Sequence, residues 1–218
     1  MEYMKDSENE IHSVTSIYAY ESMVSADTAD QLQRFGVVKI EATSFTISEP
    51  VESHSIGSLI FTLADEMEQR ILSEQFGVNA FEILTISLER MFIDKIYAIE
   101  SYIRKERFFD VAKHVFDVYN LFQLQRIKDF LLNPKKVGNI IQIQRREEIC
   151  RFGGISSDKS ISDFTLFSFI QSNKKFHAVF FEMQKVYVFN NDDILETDGV
   201  VFVFNQLFEI FSALFIGD

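Results

Sequence analysis

Tryptophan is absent from the 218 residues, cysteine occurs once, proline twice and glycine eight times. Each scarcity excludes something. A single cysteine, Cys150, leaves no internal disulfide and no multi-cysteine zinc or iron–sulfur centre, and it fits a reducing compartment such as the cytoplasm. So little glycine and proline rules out collagen-like and low-complexity chains. Long apolar runs are missing too: the richest stretch, Val200 to Ile216, is broken by Asn205, Gln206 and Glu209. It reads as a core helix and not as a membrane span. Met1 to Glu10 carries one lysine among four acids, unlike a secretory or transit segment.

What is present is 47% apolar and 25% charged side chains, with 24 phenylalanines. That composition describes a folded, soluble protein long enough to bury a core. Net charge is −12, which argues against wholesale binding to a polyanion. The charge is uneven, however. Residues 1–103 carry −12, residues 104–159 carry +5 and residues 160–218 carry −5. The cationic middle could meet several phosphates if its side chains share a face, or it could be an ordinary solvated helix surface.

Residues 1–35 show no periodicity strong enough to assign. Val37 to Phe45 reads as a strand, followed by a polar turn around Glu49-Pro50. Ile56 to Phe76 reads as one helix and Phe81 to Ile86 as a short strand. From Ser87 the pattern is helical, over about 87–105, 110–122, 123–132, 136–151, 160–172, 174–187 and 193–215, punctuated by Gly153-Gly154 and Asn190-Asn191-Asp192. The fold class inferred is α+β, a small sheet followed by a helical bundle, with the boundary between residues 1–86 and 87–218.

Lys95 is the most unusual side chain in this pattern. It falls within the apolar stripe of Leu88, Met91, Phe92, Ile96, Ile99 and Ile103, behind a helix capped by Ser87. A lysine there either snorkels to solvent or meets an anion. Asp117 lies opposite the apolar face of the next helix, with Lys113 and His114, where spacing alone indicates a solvated carboxylate. Glu41 shares a strand face with Lys39 and Thr43, as a metal ligand or as solvent face. The four histidines have no metal-ligand spacing, and P-loop, dinucleotide and nucleophile-elbow motifs are absent. Gly57-Ser58 with Asp65-Glu66-Met67-Glu68 imitates a nucleotidyltransferase Gly-Ser and paired-acid motif, but on a helix Asp65 and Met67 diverge, so it is rejected.

Ile86-Ser87-Leu88-Glu89-Arg90-Met91-Phe92-Ile93-Asp94-Lys95-Ile96-Tyr97-Ala98-Ile99, followed by Lys113-His114-Val115-Phe116-Asp117-Val118-Tyr119-Asn120-Leu121, resembles the AbiEii/AbiGii family of nucleotidyltransferase toxins. Short matches extend over about residues 15–210. They include Val38-Lys39-Ile40-Glu41, Ser48-Glu49-Pro50, Ile56-Gly57-Ser58, Arg145-Arg146-Glu147-Glu148 and Met183-Gln184-Lys185. The resemblance implies a polymerase-β-like sheet joined to a helical domain, transfer of a nucleotide from an NTP to an acceptor such as tRNA with Mg²⁺, and a cognate antitoxin. It implies catalytic roles for Lys95 and Asp117, a metal-ligand role for Glu41, and substrate-binding roles for Arg90, Arg145 and Arg146. A lysine on phosphates and a metal ion between triphosphate oxygens are what such chemistry uses.

The family's opening Gly-Ser element and Asp-x-Asp strand do not occur in the first 40 residues, and Asp27-Thr28-Ala29-Asp30 has the wrong spacing. Two expectations follow: an N-terminally shortened toxin, or an inactive protein of the same fold that binds RNA or an antitoxin. A third is an acidic helical interaction protein whose matches are accidental.

Overall fold

A computed structural model describes residues 2–10, 13–20, 37–43, 49–152, 159–188 and 190–214. The α+β expectation is met, with all the long helices after the strands. The strands, however, form two small antiparallel sheets. β1 (Glu2–Glu10), β2 (Ser13–Ala19) and β3 (Val37–Thr43) make a three-stranded sheet in sequence order. β4 (Val51–Ile56) pairs with β5 (Phe81–Ile86) in the other. β1 escapes the periodicity argument because an acidic strand without apolar alternation carries no signal of period two, and β2, SVTSIYA, is too short and irregular in its apolar spacing to supply one. The chain divides into two units, Met1–Ile47 with Phe92–Asp218, and Ser48–Met91.

Within Ser48–Met91 the expected single helix is two, α1 (Leu59–Leu63) and α2 (Glu66–Phe76). Asp65 causes the break. Its carboxylate accepts from Glu68 N while Glu68 accepts from Asp65 N, a reciprocal capping box that starts a new helix. The acids that imitate a metal-binding pair are therefore occupied in capping. Gly77 ends α2 in the left-handed conformation at φ 65°, its N–H reaching Leu72 O and Ser73 O. The β4–β5 ladder returns the chain from Glu52 opposite Thr85 to Val51 opposite Ile86.

The helical core lies in the other unit from Phe92 onward, the first turn of its leading helix still belonging to Ser48–Met91. α3 (Leu88–Arg104) begins where the Ser87 hydroxyl accepts from Arg90 N at 3.2 Å, as its sequence position suggests. It is followed by α4 (Phe108–Gln123), α5 (Gln125–Leu131), α6 (Pro134–Phe152), α7 (Leu166–Ser172), α8 (Lys174–Tyr187) and α9 (Thr197–Leu214). Two expected helices start late: a 3-10 turn at Ile161–Asp163 occupies the first residues of one, and a 3-10 turn at Asn191–Asp193 followed by extended residues precedes the other. Pro134 takes the first position of α6, where its missing N–H costs nothing, and Asn133 accepts from Lys136 N. Asn173 caps α8 in the same way through Phe176 N. The Gly153-Gly154 punctuation lies outside the described residues.

α4 is central, packing against α5, α8 and α9 through Val111, Val115, Val118 and Phe122. α9 buries Val200, Val203, Phe204, Leu207 and Phe211, so the apolar C-terminal stretch is a core helix. Among the described residues no helix is long and apolar enough to cross a membrane. Two buried side chains lock connections in place. Glu100, fully buried on α3, accepts from Thr165 Oγ1 at 2.9 Å, from Leu166 N at 3.1 Å and from Arg104 Nη2 at 3.0 Å, which anchors the start of α7. Gln184 on α8 pairs with the backbone of Leu195 in both directions, at 2.7 and 3.1 Å, and holds the approach to α9.

Candidate functional site

The two residues that stand out in the family-like segment meet across α3 and α4. Lys95 Nζ lies 2.7 Å from Asp117 Oδ2, with 28% and 41% of the two side chains exposed. Both helices supply an apolar face to the core, Phe92, Ile96 and Ile99 on one and Val111, Val115 and Val118 on the other. Those faces bring their flanks into register. The lysine in an apolar stripe thereby meets an anion at the edge of the core, which is the second of the two fates open to it. Asp117 is half-buried and not the freely solvated carboxylate that spacing alone suggests.

His114 completes the cluster one turn before Asp117. Its Nδ1 is 3.7 Å from Asp117 Oδ2, too long for a hydrogen bond but close enough for strong charge coupling when the ring is protonated. Burial pushes the Asp117 carboxyl up. The proximity of His114 and the hydrogen bond from Lys95 more than offset this, and the group sits below the usual carboxylate range. It is therefore ionised at neutral pH. His114 also stacks on Tyr102, ring centroids 5.4 Å apart and planes 17° from parallel. The three-residue spacing of His114 and Asp117 puts both on one flank of the helix, as the sequence places them.

The remaining sequence-nominated residues are elsewhere. Glu41 is in β3 opposite Thr15, and its side chain lies outside the described residues. Arg90 is fully buried and engaged. Arg145 is half-buried, donating from Nη2 to Lys159 O at 2.8 Å and lying against the Tyr97 hydroxyl, while Arg146 is exposed. Burial pushes the Tyr97 hydroxyl up, and the neighbouring Arg145 opposes that without reversing it. Glu148, nearby on α6, is also pushed up by burial, against the pull of Lys105 and Arg104 and with the help of Asp94 and Glu147.

The +5 segment does not form one surface. Lys135 and Lys136 open α6 while Arg145 and Arg146 are near its other end, roughly 15 Å along a helix axis rising 1.5 Å per residue. Arg104 is drawn back one turn to Glu100. Among the described residues, no three histidine, cysteine, aspartate or glutamate side chains come together to hold a metal ion. Asp117, the acid in the cluster, faces Lys95 and His114, and this donor set does not fit a metal centre.

A family model for the AbiEii nucleotidyl transferase toxin of type IV toxin–antitoxin systems matches residues 10–153. The chain belongs to the AbiEii family. The match spans both helices of the Lys95–Asp117 pair, and it carries with it the assignment as a nucleotidyltransferase toxin of a type IV system. The AbiEii assignment implies an NTP substrate, a divalent metal and an antitoxin partner. No curated protein and no solved structure matches the chain.

Proposed function

We propose that this AbiEii protein acts in the cytoplasm, transferring a nucleotide from an NTP to an RNA acceptor, with tRNA the first candidate and Mg²⁺ the divalent ion. The observation that carries this reading is the 2.7 Å contact between Lys95 and Asp117, the two residues to which the family resemblance gives catalytic roles. In the reaction an acceptor hydroxyl oxygen bonds to the α-phosphorus of the NTP, the bond from that phosphorus to the β-phosphate oxygen breaks, pyrophosphate leaves, and the hydroxyl proton passes to water.

Lys95 offsets charge on the phosphates. At rest its ammonium is neutralised by Asp117, so an incoming triphosphate exchanges one anionic partner for another and does not have to pay for a newly buried charge. Asp117, released from Lys95 but still beside His114, then accepts a hydrogen bond from the acceptor hydroxyl. No step is assigned to Glu41, and none is routed through a metal ion.

The test is transfer of label from each of the four NTPs to bulk tRNA with Mg²⁺, by the intact protein and by Lys95→Ala and Asp117→Asn. Label on tRNA that falls at least about a hundredfold in both variants, with melting midpoints kept, supports the reading; removal of one charge-stabilising group has effects of that order. Failure of the folded wild type to transfer any label would replace it with the alternative, an inactive binding protein of the same family that contacts RNA or an antitoxin.

A further inference from the structure

We propose that the end of α3, the first half of α4 and the exposed side of α8 form a docking surface for single-stranded RNA, continuous with Lys95 and Asp117. The inference rests on the RNA-acceptor reading and adds the place where the acceptor lies. Its elements are exposed or half-buried rings faced by cations. Arg107 Cζ is 4.9 Å and Lys105 Nζ 5.7 Å from the Tyr102 ring centre. Phe109 and Tyr187, 41% and 39% exposed, lie 5.9 Å apart, and Lys113 Nζ is 5.9 Å from each. Lys175 Nζ is 5.1 Å from the Phe108 ring centre.

Charge decides the kind of occupant. The surface gathers Lys105, Arg107, Lys113 and Lys175 against Glu106 and Asp110, a cationic excess in a chain of net charge −12. The acids do not cancel it: Asp110 alone is shared by Arg107 at 2.7 Å and Lys113 at 2.9 Å. Lys175 comes from a sequence segment of net negative charge, so folding adds to the patch a cation that segment counting cannot see. Rings left in water beside cations fit a ligand with both π-faces and regularly spaced negative charge. A single-stranded polynucleotide has both, and bases that stack on rings while phosphates meet lysines are how such strands bind. The patch leads to the candidate site without a gap, from Arg107 over Tyr102 to His114, which faces Asp117 and through it Lys95.

The measurement is equilibrium binding of a labelled single-stranded RNA and of bulk tRNA without NTP, over about 50 to 200 mM salt. Combined Arg107→Ala, Lys113→Ala and Lys175→Ala should weaken binding at least tenfold and lower the salt slope by about two to three, since each lost phosphate contact removes close to one. Tyr187→Ala should weaken it about fivefold or more through lost stacking. Lys135→Ala with Lys136→Ala, at the start of α6 and in contact with none of these rings, should leave binding unchanged. The charge-keeping set Arg107→Lys, Lys113→Arg and Lys175→Arg should keep most of it, which separates lost charge from lost fold. Equal losses in the two alanine sets, or no RNA bound by the intact protein, would overturn the proposal. Transfer of label to some other acceptor would, in that event, leave the nucleotidyltransferase reading standing.

Discussion

The unit Ser48–Met91 and the helical part of the other unit are ordered by different forces. In Ser48–Met91, Leu59, Leu63, Met67, Phe76, Phe81 and Leu84 are each at least 60% exposed, and neither α1 nor α2 contains a buried residue. What holds those elements is directional: the Asp65–Glu68 capping box, the left-handed Gly77, the β4–β5 ladder and the Ser53–Glu82 hydrogen bond at 2.6 Å. The helices from Phe92 onward instead bury the apolar core, with Phe92, Ile99, Val111, Val115, Leu166 and Phe211 enclosed completely. Local hydrogen bonding can shape a short segment, but burial supplies most of the stability of a helix. The contrast is therefore one between geometry set by caps and stability set by packing.

Substitution should expose that contrast most strongly in the core. Phe204→Ala on α9 should cost about 3 to 5 kcal/mol, the range for a buried ring replaced by a cavity. Leu63→Ala in the other unit, where the side chain is 82% exposed, should stay within about 0.5 kcal/mol. Chemical denaturation of both variants measures the difference. Comparable losses would mean that the exposure of α1 does not describe the folded protein. Glu100→Ala ranks next. It leaves Leu166 N and the Thr165 hydroxyl without their acceptor and Arg104 without its carboxylate, an expected loss of about 2 to 3 kcal/mol. A shift of the melting midpoint by less than about 2 °C would show that α7 does not depend on this anchor.

The same contrast explains what the sequence made legible. Helices that pack on the core announce themselves through period 3.6, so Lys174–Tyr187 matches its expected bounds and the others shift by a few residues, while the β-branched and apolar run Phe81–Ile86 marks its strand. Where order rests on a single cap, periodicity misleads: Leu59, Leu63, Met67 and Ile71 continue one stripe across the Asp65 break. The candidate site divides in the same way. Lys95 is visible because a cation interrupts an apolar stripe, and Asp117 only through family resemblance. The clustering of Lys113 with Tyr187, and of Glu100 with Leu166, depends on residues 65 or more positions apart. No local pattern carries it.

In the capped unit, Asp65→Ala should cost about 1 kcal/mol and fray the start of α2, with Asp65→Asn or Asp65→Ser retaining most of the cap. Hydrogen exchange at Glu68 N reads the local effect, and an unchanged rate would assign the start of α2 to something other than its capping box.

The smallest effect is a gain, and it depends on pH. Glu148 is 7% exposed at the polar seam of the helical unit, and burial holds its carboxyl above the ordinary range. Between its unfolded and folded values the native state binds more protons than the unfolded chain, so stability falls as pH rises through that interval. Asp117 and Asp110 have the opposite sign: both sit below the usual range, and the stability they contribute is lost as pH falls below about 4. Glu148→Gln should therefore raise the melting midpoint slightly at pH 7, since it removes a penalty paid only by the charged form, and it should have no stabilising effect near pH 4. Midpoints taken from pH 4 to 8 separate the cases. A variant equally shifted at both ends would show that Glu148 acts by shape alone, whereas a loss confined to neutral pH would mean that Lys105 and Arg104 outweigh the cost of burying its charge.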